Sequence, residues 1–420
     1  MKDWWTYVKE EALLVFEDKS ILLTCLVAPL FYAFFVGSIY KNKEVMEIPL
    51  IVVDQDHSTL SQKLSAALHA HPKIWLKHKL SNMKKAEDLF YQLDGQGILM
   101  IPKGFERGVL DMETNALPLF LNNTKFLTSN ELNKAVQQIG IGLSVGVKTK
   151  FFMAKGEKDQ AAFQKSMPIL PAVVSVYNVT NNYGDYLLPI LMILIIQQTL
   201  IIGFGQSLIH SLKVHPIPGI FESGPKNMLK LLFSKISFYF VLYSAYFFVF
   251  YTLIFPYYNL KFEGAISIHV LSTFLYLTGI FLATSILASY FESMIGWTEI
   301  MAFSTYPLFL ISGYSWPLES MPRTLQYFAN ILPSTPFFEA FRKLAVQGAN
   351  AYQIGGELIH MTMLVLVLFG LLYFRLKRLV YDTTVKAPGP FSHSRPSGAQ
   401  PGSPGPLSRR PGSLRTPFRQ

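Results

Sequence analysis

Apolar and polar residues fall in long blocks along this chain. A charge-free apolar run, Ser20–Tyr40, precedes a polar stretch over residues 41–182, and five more apolar runs fill the second half. A run of about 20 apolar residues is what an α-helix needs to cross the hydrocarbon core of a bilayer. The later runs sit in gaps between charges: Tyr186–Leu212, Ile236–Leu260, Gly264–Phe291, Ile300–Leu318 and Leu358–Phe374. A charge at mid-bilayer costs roughly 2.5–3.5 kcal/mol on insertion scales, so gaps of this length predict spans. The pattern predicts a polytopic α-helical membrane protein with six transmembrane helices, which places both termini on one side.

Ahead of the first span, residues 1–19 carry a helical stripe through Trp5, Val8, Ala12, Val15 and Phe16. Trp4 and Trp5 beside Lys2 and Lys9 suit an elbow helix lying in the headgroup layer, with lipid as its partner. The same stripe also fits a soluble amphipathic surface. Asp3, Glu10, Glu11, Glu17 and Asp18 contrast with the short basic leader of a secretory signal, so span 20–40 is expected to be an uncleaved anchor.

The polar block alternates in type. Strands are expected at Ile48–Val53, Lys73–His78, Gly97–Ile101 and Leu117–Leu121. Helices are expected at Leu60–Leu68, from a Ser81 cap through Leu93, at Phe105–Leu110, and from about Ser129 to Lys155. This predicts an inserted α/β domain over residues 41–182, between spans 1 and 2. Asp54, Asp56 and His57 have metal-ligand chemistry, but their place between a strand and a helix points to turn and cap formation.

Short loops set the orientation. Lys2, Lys9 and Lys19, then Lys213, Lys226 and Lys230, then Arg375, Lys377 and Arg378 all fall on one side, which the positive-inside rule makes cytoplasmic. The loop around Glu292–Glu299 belongs to that side yet holds no Lys or Arg. The α/β domain is then extracytoplasmic.

Half of the residues are hydrophobic and 15% are charged, with a mean hydropathy of +0.30. The net charge of +10 points at first to nucleic acid. Lys386 and five arginines of the Pro/Gly/Ser-rich tail account for six of those charges, and no acid offsets them there. No nucleic-acid partner is therefore expected. Residues 381–420 read as a disordered tail, either a basic arm on the membrane or a non-native extension, with no function assigned. The lone Cys25, inside the first span, excludes a disulfide framework and is expected to pack as a small apolar residue.

No phosphate-binding Gly-x-x-x-x-Gly-Lys-Ser/Thr loop, His-Glu-x-x-His or Gly-x-Ser-x-Gly occurs, and the predicted spans hold no acidic or basic residue. An intramembrane enzyme would lack its nucleophile and base, no metal site is expected, and an energy source must lie elsewhere. Polar residues within or at the ends of the spans include Gln197, Gln198, His269, Thr278, Thr284 and Ser312, all suited to interhelical hydrogen bonds. Gln197 and Gln198 are the candidates for a substrate path, because adjacent amides cannot share one helix contact. Phe238, Tyr239, Phe240, Tyr243, Tyr246 and Phe247 fit a hydrophobic or lipid-like cargo, and fit lipid-facing packing better.

One segment is more specific. Ser312-Gly313-Tyr-Ser-Trp-Pro317 leads to Met321-Pro322, then to Pro333 and Pro336, and then to Arg342 before the last span. These prolines break any continuous helix but permit short re-entrant or interfacial helices near 315–345, within a membrane region over 183–380. The arrangement resembles the permease subunits of type-2 ATP-binding-cassette exporters, in the subgroup with a large extracytoplasmic domain. Further matches are Pro29 in the first span, Val52-Val-Asp-Gln-Asp-His-Ser58, Ile101-Pro-Lys-Gly-Phe105, and Tyr177-Asn178 with Tyr183. The resemblance covers nearly all of residues 1–380.

It implies a multi-pass inner (plasma) membrane permease, not itself an enzyme, that pairs with a second or homologous permease. A cytoplasmic ATPase subunit would bind the ATP and magnesium, and a periplasmic adaptor is a further implied partner. The stretch Ser211–Lys230 corresponds to the loop that touches the ATPase, making His215, Pro216, Phe221 and Glu222 coupling candidates. The acidic Glu-Arg-Glu-x-Gly-Thr pattern of many relatives is absent there. The alternative function is a transmembrane sensor or mechanotransmitter whose external domain binds a ligand or partner without transport.

Overall fold

The computed structural model describes residues 4–92, 95–113, 115–167, 177, 183–214 and 225–386. Six helices among them are long and apolar enough to cross a membrane: Lys19–Ile39, Tyr183–Lys213, Asn227–Tyr257, Ile266–Ala288, Met294–Ile311 and Gly355–Tyr381. We number these spans 1 to 6. The expected third span started too late. Its true helix continues back through Lys235, which is 3% exposed and lies inside the protein. A charge gap marks a boundary only when the bounding charge must stay in water, and a paired charge need not. Span 3 therefore carries a buried base, contrary to the expectation of spans free of acidic or basic residues.

Span 5 also differs from its expected range. It takes in Glu299 and stops at Ile311, where Gly313 turns the chain at φ 87°. A Cβ there would stand 2.6 Å from Leu318 Cγ, so both the left-handed backbone and the contact call for glycine. Two short helices then follow, Arg323–Ile331 and Ser334–Phe341, before span 6. The second is almost wholly buried, and its Phe337 ring stacks on Tyr276 of span 4 at 3.9 Å. Tyr239, Tyr243, Tyr246 and Phe247 are buried too, so this face of span 3 is protein core and not lipid-facing.

Helix α1, Trp4–Glu17, lies against spans 2 and 3, with Tyr7, Glu11 and Val15 buried. The expected stripe is split: Val15 is buried and Val8 and Ala12 are partly buried, whereas Trp5 and Phe16 are 72% and 65% exposed. A glutamate among the packed positions hides the inward face from a hydrophobicity count. The outward set of Trp5, Leu13 and Phe16 is what an interfacial helix offers to lipid.

Between spans 1 and 2 lies a four-stranded sheet in the order β2-β1-β3-β4, formed by β1 Ile48–Asp54, β2 Ile74–Leu80, β3 Gly97–Ile101 and β4 Leu119–Leu121. β1 runs parallel to β2 and β3, and β4 runs antiparallel to β3. β1 is central and buried on both faces, as its unbroken apolar run requires. Helices α2 Thr59–Ala70, α4 Phe105–Leu110 and α5 Phe126–Ala154 cover one face, and α3 Met83–Gln92 covers the other. A further helix, α6 Asp159–Ser166, folds back on α5. Its polar sequence gave no periodic signal. The cap of α3 is Asn82, whose side chain accepts from the Lys84 N–H at 2.9 Å, and not Ser81.

The polar run after β1 caps three pieces of backbone. Asp54 accepts from the His57 N–H (2.9 Å), the Ser61 hydroxyl (2.8 Å) and Lys79 Nζ (2.9 Å). Asp56 reaches across to the first turn of α4, accepting from the N–H groups of Gly104 (2.7 Å), Phe105 (3.1 Å) and Glu106 (3.0 Å). Ser58 caps α2 through the Ser61 N–H. Burial pushes the Asp54 carboxyl up, but these hydrogen bonds and the Lys79 charge outweigh it and hold its pKa below 3.8. Asp56 is likewise held down, mainly by the Ser58 hydroxyl and the α4 N–H groups acting against burial.

Carboxylates with depressed pKa values stabilise the domain above their ordinary pKa, and that stability is lost as pH falls through the lowered values. Hydrogen exchange at the β1 amides of the full chain should therefore accelerate below about pH 4. Asp54→Ala should make it fast already at pH 7, costing about 2–4 kcal/mol. Protection in that variant equal to the wild type would show that the cap contributes nothing.

Candidate functional site

Three polar features thread the apolar bundle. The first lies at the end carrying α1. Glu11 and Lys235 are both buried and form an ion pair, and the Ser207 hydroxyl of span 2 donates to the other Glu11 oxygen. Lys235 also donates to Ser207 Oγ at 2.9 Å. One carboxylate thus joins α1, span 2 and span 3 at a point. Beside it opens a cavity of about 310 Å³, lined in part by Glu10, Glu17 and His210. Span 2 ends there in a wide five-residue turn, His210–Val214. The expected coupling residues His215, Pro216, Phe221 and Glu222 lie outside the described residues; of the expected tail over 381–420, residues 381–386 continue the helix of span 6 and the rest lies outside them as well. At the same end Arg375 of span 6 donates to the Ser289 hydroxyl (2.8 Å) and carbonyl (3.0 Å) and sits over the Tyr290 ring. The loop that lacked its own basic residue borrows one from span 6.

The second feature lies at mid-bundle on span 2. Gln197 and Gln198 part company, as their adjacency requires. Gln197 is sealed in the core, accepting from the Tyr276 hydroxyl of span 4 at 2.6 Å. Gln198 donates to the Met301 carbonyl of span 5 at 2.6 Å and lines a mostly apolar groove of about 680 Å³ between spans 1, 2 and 5. Thr24, Tyr32, Thr199 and Thr305 are the groove's other polar residues. Thr278 and Ser312 bond to carbonyls of their own helices instead of bridging. His269 donates from Nε2 to the Glu263 carbonyl, 2.7 Å away.

Close packing holds the groove's walls. Span 2 leaves no room for a Cβ at Gly203, where Cys25 of span 1 sits, or at Gly205, where Trp297 of span 5 sits. Cys25 is thus a buried packing residue. Span 1 widens into a five-residue turn at Leu23–Val27 ahead of Pro29. The Tyr246 hydroxyl of span 3 donates to the Leu26 carbonyl within it, at 3.0 Å.

The third feature is at the sheet end, where the Pro-rich segment folds into a cavity of about 430 Å³. Ser312, Gly313, Pro317, Pro336 and Arg342 line it, together with Tyr186, Glu319, Glu339, Glu357 and His360. Met321 and Pro322 sit just ahead of Arg323–Ile331, and Pro333 just ahead of Ser334–Phe341. Arg342 binds Glu339 at 2.6 Å, and Lys343 binds Glu357 of span 6 at 2.7 Å. The Tyr186 and Tyr314 rings stack at 4.9 Å, and each hydroxyl donates to the other residue's backbone carbonyl. Lys43, just past span 1, pairs with Asp185 of span 2 and donates to the Asn259 carbonyl at 2.7 Å.

Sequence reasoning missed this joint because Glu11 was read as an elbow acid and Lys235 as a span boundary, and Ser207 was not singled out. A glutamate on an otherwise apolar helical face was the one available signal. Gln206, which donates to Thr298 Oγ1 of span 5 at 2.7 Å, was missed as well.

The model of a family described as ABC-2 family transporter protein matches residues 19–376. No curated protein matches the chain.

Removing one partner of a buried ion pair leaves the other charge uncompensated. Glu11→Ala and Lys235→Ala should each lower stability by about 3–5 kcal/mol in detergent-solubilised thermal unfolding. The double variant Glu11→Leu/Lys235→Met should recover most of that loss. Additive losses would show that the two side chains do not interact.

Proposed function

As the chain belongs to the ABC-2 transporter family, we propose that it is the permease of an exporter driven by a separate ATP-hydrolysing subunit. Membership makes it the multi-pass membrane component of an ABC transporter and not the catalytic ATPase. The finer reading is ours. ATP and its magnesium ion bind the cytoplasmic partner, this chain pairs with a second or homologous permease, and a hydrophobic or lipid-like cargo leaves the cytoplasm. Both termini lie in the cytoplasm of a cell with this inner (plasma) membrane.

The observation that carries the reading is the buried joint of Glu11, Ser207 and Lys235. It sits where spans 2 and 3 approach the stretch holding His215, Pro216, Phe221 and Glu222, so force applied there reaches both spans and the elbow together. Trp4 and Trp5 anchor the elbow in headgroups. A two-state shift of the bundle then opens or closes the groove between spans 1, 2 and 5. Gln198 and Thr199 are the polar residues of span 2 that line this path, whereas Gln197 positions span 4. The segment from Ser312 to Arg342 closes the outer end, and the α/β domain shapes the exit or receives an adaptor.

Gentle solubilisation of native membranes, purification of this chain and mass spectrometry of what accompanies it test the proposal. A stoichiometric soluble ATPase is expected, and it should be lost when residues 211–230 are replaced by a Gly/Ser linker. An intact, folded permease with no ATPase would overturn the exporter reading and favour a sensor whose external domain binds a ligand.

A further inference from the structure

We propose that the hairpin of α5 and α6 is a slot for one amphipathic, acid-flanked helix of a separate protein on the same side of the membrane. The proposal deepens the adaptor element of the function above and rests on it. Helix α5 starts at the part of the domain nearest the bundle. There Glu131 pairs with Lys73 (2.7 Å), and Lys73 with Glu44 (3.3 Å) in the linker just past span 1. Its side chains are buried against the sheet through Val136 and partly packed as far as Val147. The last turns stand clear of the sheet, and α6 folds back along them, with Thr149 Oγ1 and Ser166 Oγ 3.1 Å apart.

The two helices enclose an open, mostly apolar groove of about 680 Å³, along the part of α5 that follows the Glu131 contact. Ile141, Gly142, Val145, Gly146 and Met153 follow one another along its floor, with Phe163 of α6 as a wall. Ile141, Met153 and Phe163 are 55%, 41% and 46% exposed. Spacings of three and four residues are those of a helix–helix seam, so the complementary shape is a third helix. Among the described residues, the floor packs against nothing beyond this hairpin. Glycine in an exposed helix costs about 1 kcal/mol relative to alanine, and no atom lies within 4 Å of where a Cβ at Gly142 or Gly146 would stand.

Charge chooses the occupant. Lys148, Lys150, Lys155 and Lys158 are exposed around the hairpin and outnumber its one exposed acid, Asp159, while Glu157 is already paired with Lys165. A second copy of this chain would bring the same lysines against these, which is repulsive. The linker from span 1 meets α5 at Glu131, through Lys73, and not along this groove. A separate helix with glutamate or aspartate beside its apolar stripe meets both the shape and the charge.

The test places photoreactive benzoylphenylalanine at Phe163 of the full chain in its native membrane and maps the adducts by mass spectrometry. We expect one dominant adduct, on a helix of another protein with acids flanking an apolar stripe. It should fall at least tenfold in Gly142→Leu/Gly146→Leu and in Lys148→Glu/Lys150→Glu. The leucines raise helix propensity and meet open space, so the melting temperature should not fall. Adducts only to lipid, only to a second copy, or none would each overturn the proposal, as would a yield unchanged by the glycine substitutions. Co-purification of the ATPase should persist in every variant. Its absence from the wild type would overturn the exporter reading and leave the adduct result to stand alone.

Discussion

A buried charge must find its counter-charge, and much of the architecture at one end of this bundle follows from that single demand. Lys235 sits inside the protein because Glu11 meets it there, and Glu11 is held in turn by Ser207. An apolar contact tolerates sliding, since one methyl group packs against another at many registers. A desolvated carboxylate and ammonium do not, because each step apart exposes both to a low-dielectric surrounding without a partner. The elbow helix is therefore fixed in rotation and in height against two spans at once. Its outward residues Trp5, Leu13 and Phe16 are in consequence fixed in place.

The same demand explains which parts of the fold were legible in the sequence. Runs without charge located all six spans, and the alternation of β-rich and helical segments located the sheet. Boundaries failed where a charge is satisfied internally: span 3 was cut at Lys235, and the inward face of α1 was drawn through Val15 but without Glu11. Span 5 was drawn too far because Gly313 ends it by backbone geometry, which a hydropathy count ignores. Aromatic residues of span 3 were assigned outward, although Tyr239 and Tyr243 are wholly buried. Composition cannot tell a lipid-facing ring from a core ring, since both environments are apolar. The separate fates of Gln197 and Gln198 did follow from sequence, as two consecutive amides on a helix point about 100° apart.

Just past span 1, Lys43 gathers Asp185 and the Asn259 carbonyl, and so holds the sheet-side ends of spans 1, 2 and 3 in one place. Within the domain, Asp54, Asp56 and Ser58 each close a different piece of backbone from one short loop. Asp56 ties that loop to a helix far along the chain. The loop's order and the order of α4 therefore depend on each other.

The pairing of Tyr186 with Tyr314 has a mechanical meaning. Each hydroxyl serves the other residue's carbonyl, so the start of span 2 and the exit of span 5 share two bonds that have a common geometry. Parting the helices slightly weakens both bonds together, and neither can hold while the other yields. Such a clasp has no stable half-way position. It resists small fluctuations with nearly full strength and, once exceeded, releases entirely, so this end of the bundle behaves as a threshold element and not as a spring.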